Sequence, residues 1–267
     1  MNFTKLSSDP LVLSHFSKSY GNKKVIDDIS FSIKQGEVFG YIGRNGIGKS
    51  TTIDCIVGKK EVTSGEISIY GYNISKKSVQ AKSFIGYVPS EPVCYEFLTG
   101  REYLEFIAGV FNVSKDDFNQ RFTYYVNKFD LSMIDVNRKI NQYSHGMKQK
   151  ICLIASLIHD PDLWILDEPS VGLDIVVYET LLDIIQEMKR KGKAIFVTSH
   201  NINLIQDVCD RVALVNNCKV VKIIDFIQNP QEKDNLAEEF LKVYQGQEEY
   251  VFEPLEDWVQ KQIQTQV

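Results

Sequence analysis

The stretch GYIGRNGIGKSTT, residues 40–52, restricts this chain more than any other. It follows an apolar run, residues 38–42, that reads as a buried strand, and it fits G-x-x-x-x-G-K-[ST], a phosphate-binding loop. Glycines at 43, 46 and 48 let successive backbone N–H groups turn toward an anion with no Cβ in the way. The helix expected from about Gly48 points its positive end at the same anion. In such a loop Lys49 reaches the β- and γ-phosphates and the Ser50 hydroxyl ligates Mg²⁺, while Thr51 and Thr52 are placed to hold the α-phosphate. The competing reading is a glycine-rich turn before an ordinary helix, but a strand ahead and a helix behind are what the phosphate chemistry demands.

Length and composition narrow the surroundings. The 267 residues, 43% apolar, suffice for one large domain or two coupled ones with a sizeable core. A net charge of −5 lacks the basic field of nucleic-acid binders, so no nucleic-acid partner is expected. The cysteines (Cys55, Cys94, Cys152, Cys209, Cys218) have no CxxC spacing. They signal neither a zinc site nor a disulfide framework and are expected as buried thiols in a reducing cytosol. The N-terminal residues lack the apolar core of a signal peptide. The longest apolar run, residues 151–158, is far short of the ~18 that indicate a bilayer span, so any membrane role is expected to come through a partner.

Before the loop, residues 11–16 and 25–33 read as strands flanking a turn at Tyr20-Gly21-Asn22, with Ile29, Phe31 and Ile33 alternating toward a core. Tyr20 either stacks on a purine or packs its own hairpin. After the loop come a helix over 49–57, a strand over 66–70 and a buried strand over 83–88. Helical patterns follow over 99–111, 115–129 and 146–159. Thr99-x-x-Glu102 forms a capping box, and Tyr103, Leu104, Phe106, Ile107 and Val110 form one apolar face.

The acids that complete a phosphate site arrive at the end of the apolar strand 163–166. Asp167 is placed to meet Mg²⁺, and Glu168 to face a water in line with the γ-phosphate. Pro169 is expected to hold Glu168 extended. A helix over 174–191 and a strand over 194–197 lead to His200, which is placed to hold the γ-phosphate or the attacking water. A helix over 201–208 and strands over 212–215 and 219–224 follow. Amphipathic helices are expected over 233–244 and 254–264, as an appendage to the main domain or as a contact for a partner.

Taken together, these residues resemble the ATP-binding subunit of ABC transporters from residue 11 to about 224. Tyr20 matches the family's adenine-stacking aromatic. Gly43, Arg44, Asn45, Gly46, Ile47, Gly48, Lys49, Ser50 and Thr51 match its phosphate loop. Ser144 and Gly146 occupy its signature, here Tyr143-Ser144-His145-Gly146-Met147 in place of Leu-Ser-Gly-Gly-Gln. Asp167, Glu168, Asp174 and His200 match the metal acid, the catalytic base, the loop aspartate and the switch histidine. Ser90 stands where the family usually places a glutamine that contacts Mg²⁺.

The resemblance implies an α/β fold: a RecA-like P-loop NTPase core with an antiparallel β subdomain and an inserted α-helical subdomain. Residues 1–90 and 161–227 form the core, 91–160 the signature subdomain and 228–267 a C-terminal extension. It also implies ATP with Mg²⁺, catalysis by Glu168, His200 and Lys49, and a head-to-tail dimer in which Ser144 of a second copy or a paralogue meets the γ-phosphate. The partner is an integral membrane permease, with the chain peripheral on the cytoplasmic side of the cell membrane. The signature variant followed by Lys148-Gln149-Lys150 favours export over import. A soluble ABC-type ATPase is the alternative.

Overall fold

The strand patterns over residues 11–33 and 64–73 build one sheet, and the apolar run at 38–42 joins later strands, from residue 85 on, to build another. The computed structural model describes residues 3–244. β1 (Leu11–Tyr20) and β2 (Lys23–Ile33) pair antiparallel across the turn at Gly21, whose φ is +55°. β3 (Val38–Ile42) leads through the glycine loop into α1 (Lys49–Ile56). β4 (Ser64–Ile69), β5 (Tyr72–Asn73), α2 (Ser78–Lys82) and β6 (Ile85–Val88) follow. The helical insertion holds α3 (Gly100–Val110), α4 (Lys115–Lys128), α5 (Met133–Val136), a 3₁₀ turn (Ile140–Gln142) and α6 (His145–Leu157). The chain then runs through β7 (Leu163–Asp167), α7 (Ile175–Arg190), β8 (Ala194–Ser199), α8 (Ile202–Val208), β9 (Arg211–Asn216), β10 (Lys219–Asp225), α9 (Gln231–Asp234) and α10 (Leu236–Tyr244).

The first sheet has the order β2-β1-β4-β5 and is antiparallel. The second has the order β10-β9-β3-β8-β7-β6 and is parallel except for β10. Every residue of β3, β7 and β8 is buried, as expected for parallel strands covered on both faces. Alternation divides those strands between two cores. Phe39, Tyr41, Ile165 and Phe196 pack with the antiparallel sheet and with Ile53 and Ile56 of α1. Val38, Trp164, Leu166 and Val197 pack with the helical insertion, α7, α8 and α10. Each such side chain contributes roughly 1.5–3 kcal/mol on burial. Phe31 of the antiparallel sheet stacks on Phe39 at 4.9 Å, which locks the two sheets together. The parallel strands bring three C-terminal ends side by side, those of β3, β8 and β7.

Several local expectations meet their structural counterparts. The Thr99 capping box is formed in both directions, with Thr99 accepting from the Glu102 N–H and the Glu102 carboxylate from the Thr99 N–H. Others differ. On α3, Phe106 is 47% exposed and Val110 59%, so the apolar face is wider than the part the core covers. The helix read over 233–244 is two helices, α9 and α10. α2 and α5 carry too few residues for a periodic signal. Cys94 and Cys218 are only half-buried, and Cys94 Sγ lies 3.1 Å from Cys152 Sγ although 58 residues separate them. The helix read over 254–264 lies outside the described residues. Among the described residues, no helix is long and apolar enough to cross a membrane.

Candidate functional site

The glycine loop lies off the C-terminal end of β3, where open parallel sheets place their ligands. Gly48 caps α1 with φ +110°, and a Cβ there would meet the Val25 carbonyl of β2 at 3.1 Å. Both facts require glycine. Lys49 starts α1, and its side chain folds back over the loop. Its ammonium donates to Gly43 O at 2.7 Å and Arg44 O at 3.3 Å.

A cleft of about 240 Å³ opens over this loop. Asn45, Gly46, Gly48, Lys49, Ser50 and Thr51 line it from one side, and Ser90 and Glu168 from others. Four sequence segments thus converge: Val25 of β2, the loop, the end of β6 and the end of β7.

The β7 acids have different surroundings. Asp167 Oδ1 accepts from Thr198 Oγ1 at 2.7 Å and from Ser50 Oγ at 3.4 Å. Burial raises its carboxyl above the ordinary aspartate value, against the opposing effect of both hydroxyls. Glu168 Oε1 lies 3.1 Å from Lys49 Nζ. Its Oε2 accepts from the His200 N–H at 3.1 Å and lies 2.8 Å from His200 Nδ1. Burial alone would raise Glu168, but the His200 hydrogen bond and the Lys49 charge outweigh it and hold the carboxyl below its ordinary value. An ionised carboxylate only accepts, so the His200 proton sits on Nδ1.

Two expectations about these residues are corrected. Glu168 is not extended; its φ is +50°, a left-handed conformation rare outside glycine. Its N–H donates to Thr198 O at 3.1 Å and Oγ1 at 3.2 Å, and its carboxylate is held at both oxygens. Those contacts hold the strained backbone against the preference set by Pro169. Thr52 does not present its hydroxyl to a phosphate. It is fully buried, donating to Gly48 O at 3.1 Å and lying 3.4 Å from the Tyr41 hydroxyl.

The remaining candidates lie around the cleft or away from it. Tyr20 is 45% exposed at the end of β1, between the ammonium groups of Lys18 and Lys60, and does not line the cleft. Arg44 stacks over the Tyr244 ring, and Ile47 packs beside Gly43. Ser144 caps α6, accepting from Met147 N–H at 3.3 Å, and is exposed on the helical insertion. Gly146 follows in the first turn, with open space where a Cβ would stand. Asp174 caps α7 through Val177 N–H at 2.9 Å. Ser144, Gly146 and Asp174 do not line the cleft of their own chain. The sequence reading missed Thr198, which orders both acids; its signal was a hydroxyl two residues before His200 at the end of a buried strand.

The chemistry of the oxygen donors fits magnesium. Ser50 and Asp167 offer two hard oxygens on one side of the loop, and no cluster of three or more acidic, histidine or cysteine ligands occurs among the described residues. Mg²⁺ takes one or two protein oxygens and completes its shell with water and substrate phosphate.

A family model described as "ABC transporter" matches residues 26–171. The chain belongs to the ABC transporter family. The linearmycin resistance ATP-binding protein LnrL of Bacillus subtilis (strain 168) is 35% identical over 213 residues, 80% of this chain and 68% of that one. The bacitracin transport ATP-binding protein BcrA of Bacillus licheniformis is 32% identical over 211 residues, 79% and 68% of the two chains. A solved ATP-binding subunit of an ABC transporter superposes with a TM-score of 0.83 at 30% identity, covering 88% of this chain and 99% of the other. This chain is an ABC transporter ATP-binding subunit with a RecA-like P-loop core, an antiparallel β subdomain and an inserted helical subdomain.

Proposed function

We propose that the chain hydrolyses MgATP as one half of a head-to-tail pair and drives an export permease from the cytoplasmic face of the membrane. The observation that carries the pairing is the separation of Ser144 from the cleft: it is exposed at the start of α6, while Lys49 and Glu168 converge elsewhere. A helix N-terminus with a serine cap suits a γ-phosphate held by another copy, identical or paralogous. ATP then binds the closed pair better than the open one and shifts that equilibrium.

Within the cleft, Lys49 leaves Glu168 for the β- and γ-phosphates, and loop N–H groups hold the phosphate chain. Glu168, released from Lys49, accepts a proton from water, and His200 keeps the carboxylate aimed. Thr51, which lines the cleft, holds the α-phosphate, and Tyr20, exposed outside the cleft at the end of β1, stacks on the purine. Ser50 and Asp167, with Ser90 near by, would hold magnesium, which would neutralise charge on the nucleotide's phosphates.

Residues 1–90 and 161–227 act as the catalytic core and 91–160 as the moving signature subdomain, while the described part of the C-terminal extension, residues 228–244, packs on the core through Leu236, Phe240 and Tyr244. A membrane partner is supported by an exposed aromatic group on the insertion. Tyr95 contacts Phe97 and Phe106 at 6.0 and 5.5 Å, and all three are exposed. Such a patch on a soluble face marks an interaction surface. Export is supported by the YSHGM signature form and by relatives named for linearmycin resistance and bacitracin transport. The test is affinity purification of the full chain in mild detergent. A polytopic membrane protein is expected to co-purify and to stimulate hydrolysis; an active ATPase recovered without one points instead to a soluble enzyme.

A further inference from the structure

Gly43 and Arg44 share one peptide unit, and both of its polar atoms are engaged. The Gly43 carbonyl accepts from Lys49 Nζ at 2.7 Å. On the opposite edge, the Arg44 N–H donates to the Tyr244 hydroxyl at 3.2 Å. The same hydroxyl donates to Val215 O at the end of β9. Tyr244 is the last residue of α10, 200 residues from Arg44 and outside the span matched by the family model.

We propose that Tyr244 is a positioning residue for Lys49: it fixes the plane of the Gly43–Arg44 peptide, and that plane sets where the lysine ammonium rests. The proposal builds on the phosphate-loop reading. A peptide held at one edge turns about its two flanking single bonds, so its carbonyl swings; held at both edges, it does not. Lysine is a flexible stem with a mobile charge, and its position depends on the acceptors provided.

The surroundings of Tyr244 suit this task. Its side chain is 4% exposed, and its ring packs on Phe240 with centroids 4.7 Å apart. Asn216 Nδ2 donates to Val243 O at 2.8 Å, which ties the end of α10 to β9. The Arg44 guanidinium lies 5.4 Å from the ring centroid. A Cβ at Gly43 would stand 2.9 Å from an Ile47 methyl and 3.3 Å from the Tyr244 hydroxyl, so Gly43 is the residue that admits this close approach.

The test is Tyr244→Phe in the full chain. It keeps the ring and its packing but removes both hydrogen bonds. Calorimetric titration with the magnesium complex of a non-hydrolysable ATP analogue is expected to show Kd raised about three- to tenfold, the loss of one or two hydrogen bonds. KM for MgATP rises by the same factor, and kcat changes less. The nucleotide-free melting temperature falls by a few degrees at most, and Kd is read well below it, where the variant is fully folded. Lys242→Ala, which removes ion pairs on the outer face of the same helix, binds as wild type. An unchanged Kd for Tyr244→Phe, measured where the nucleotide-free variant is fully folded, overturns the proposal. Lys49→Ala separates this from the underlying reading: if it binds the analogue as wild type does, the phosphate-loop reading itself fails, whatever Tyr244→Phe shows.

Discussion

Lys49 Nζ lies 3.1 Å from Glu168 Oε1, so the loop cation and the strand-end carboxylate neutralise each other inside the cleft. On the proposed mechanism, an incoming γ-phosphate competes with Glu168 for Lys49. Glu168→Gln removes the competitor and the proposed base together. Hydrolysis by this variant is expected to fall on the order of 10²–10⁴-fold, while MgATP binds at least as tightly as to wild type. Phosphate release and equilibrium binding measured on one preparation check both halves.

Thr198 holds Asp167 from behind at 2.7 Å, and burial already resists ionisation of that acid. Thr198→Val keeps the shape and removes the donor. The Mg²⁺ concentration for half-maximal hydrolysis is expected to rise on the order of tenfold, as for other residues that orient a metal ligand. The effect grows as pH falls, because the unassisted carboxyl protonates more readily. Magnesium titrations at two pH values read this out.

His159 predicts an acid-side loss of stability. Burial lowers its pKa to about 4 from the ordinary 6.5, against its hydrogen bond to Ile85 O at 2.9 Å, and the ring stacks on Phe111 at 3.7 Å. The unfolded chain takes up this proton below 6.5, the folded chain only near 4, so stability is complete above 6.5 and declines between those values. From pH 7 to pH 5 the loss is on the order of 2 kcal/mol. Glu168 acts lower: its carboxyl is held below the ordinary 4.5, so its contribution is present above 4.5 and is lost as pH falls through the folded value. Thermal melts across pH for wild type and His159→Gln check the first window; the substitution is expected to flatten it.

What could be read from sequence was what local chemistry dictates. The anion cradle needs glycines at fixed spacing, so residues 43–48 declared themselves, as did the capping box at Thr99 and Glu102. Positions set by distant contacts did not. The left-handed backbone of Glu168 depends on Thr198, 30 residues on, and overrides the preference Pro169 imposes. The buried hydroxyl of Thr52 depends on Gly48 O and Tyr41, which leaves Thr51 facing the cleft. The approach of Cys94 to Cys152 and of Tyr244 to Arg44 arises from packing across 58 and 200 residues, which no spacing rule reaches. The exposed Phe106 and Val110 matched helical periodicity as well as core residues do, because period alone does not separate a core face from a docking face.

The central claim is that Lys49 and Asp167 build half of an ATP site and that another copy completes it through Ser144. Light scattering of Glu168→Gln saturated with MgATP, in detergent with its membrane subunit, tests this most directly. The account predicts two ATPase copies per particle in the nucleotide-saturated assembly, and that a bulky charged residue at position 144 prevents their closure. A saturated, hydrolysis-deficient chain that stays single in that assembly would contradict it.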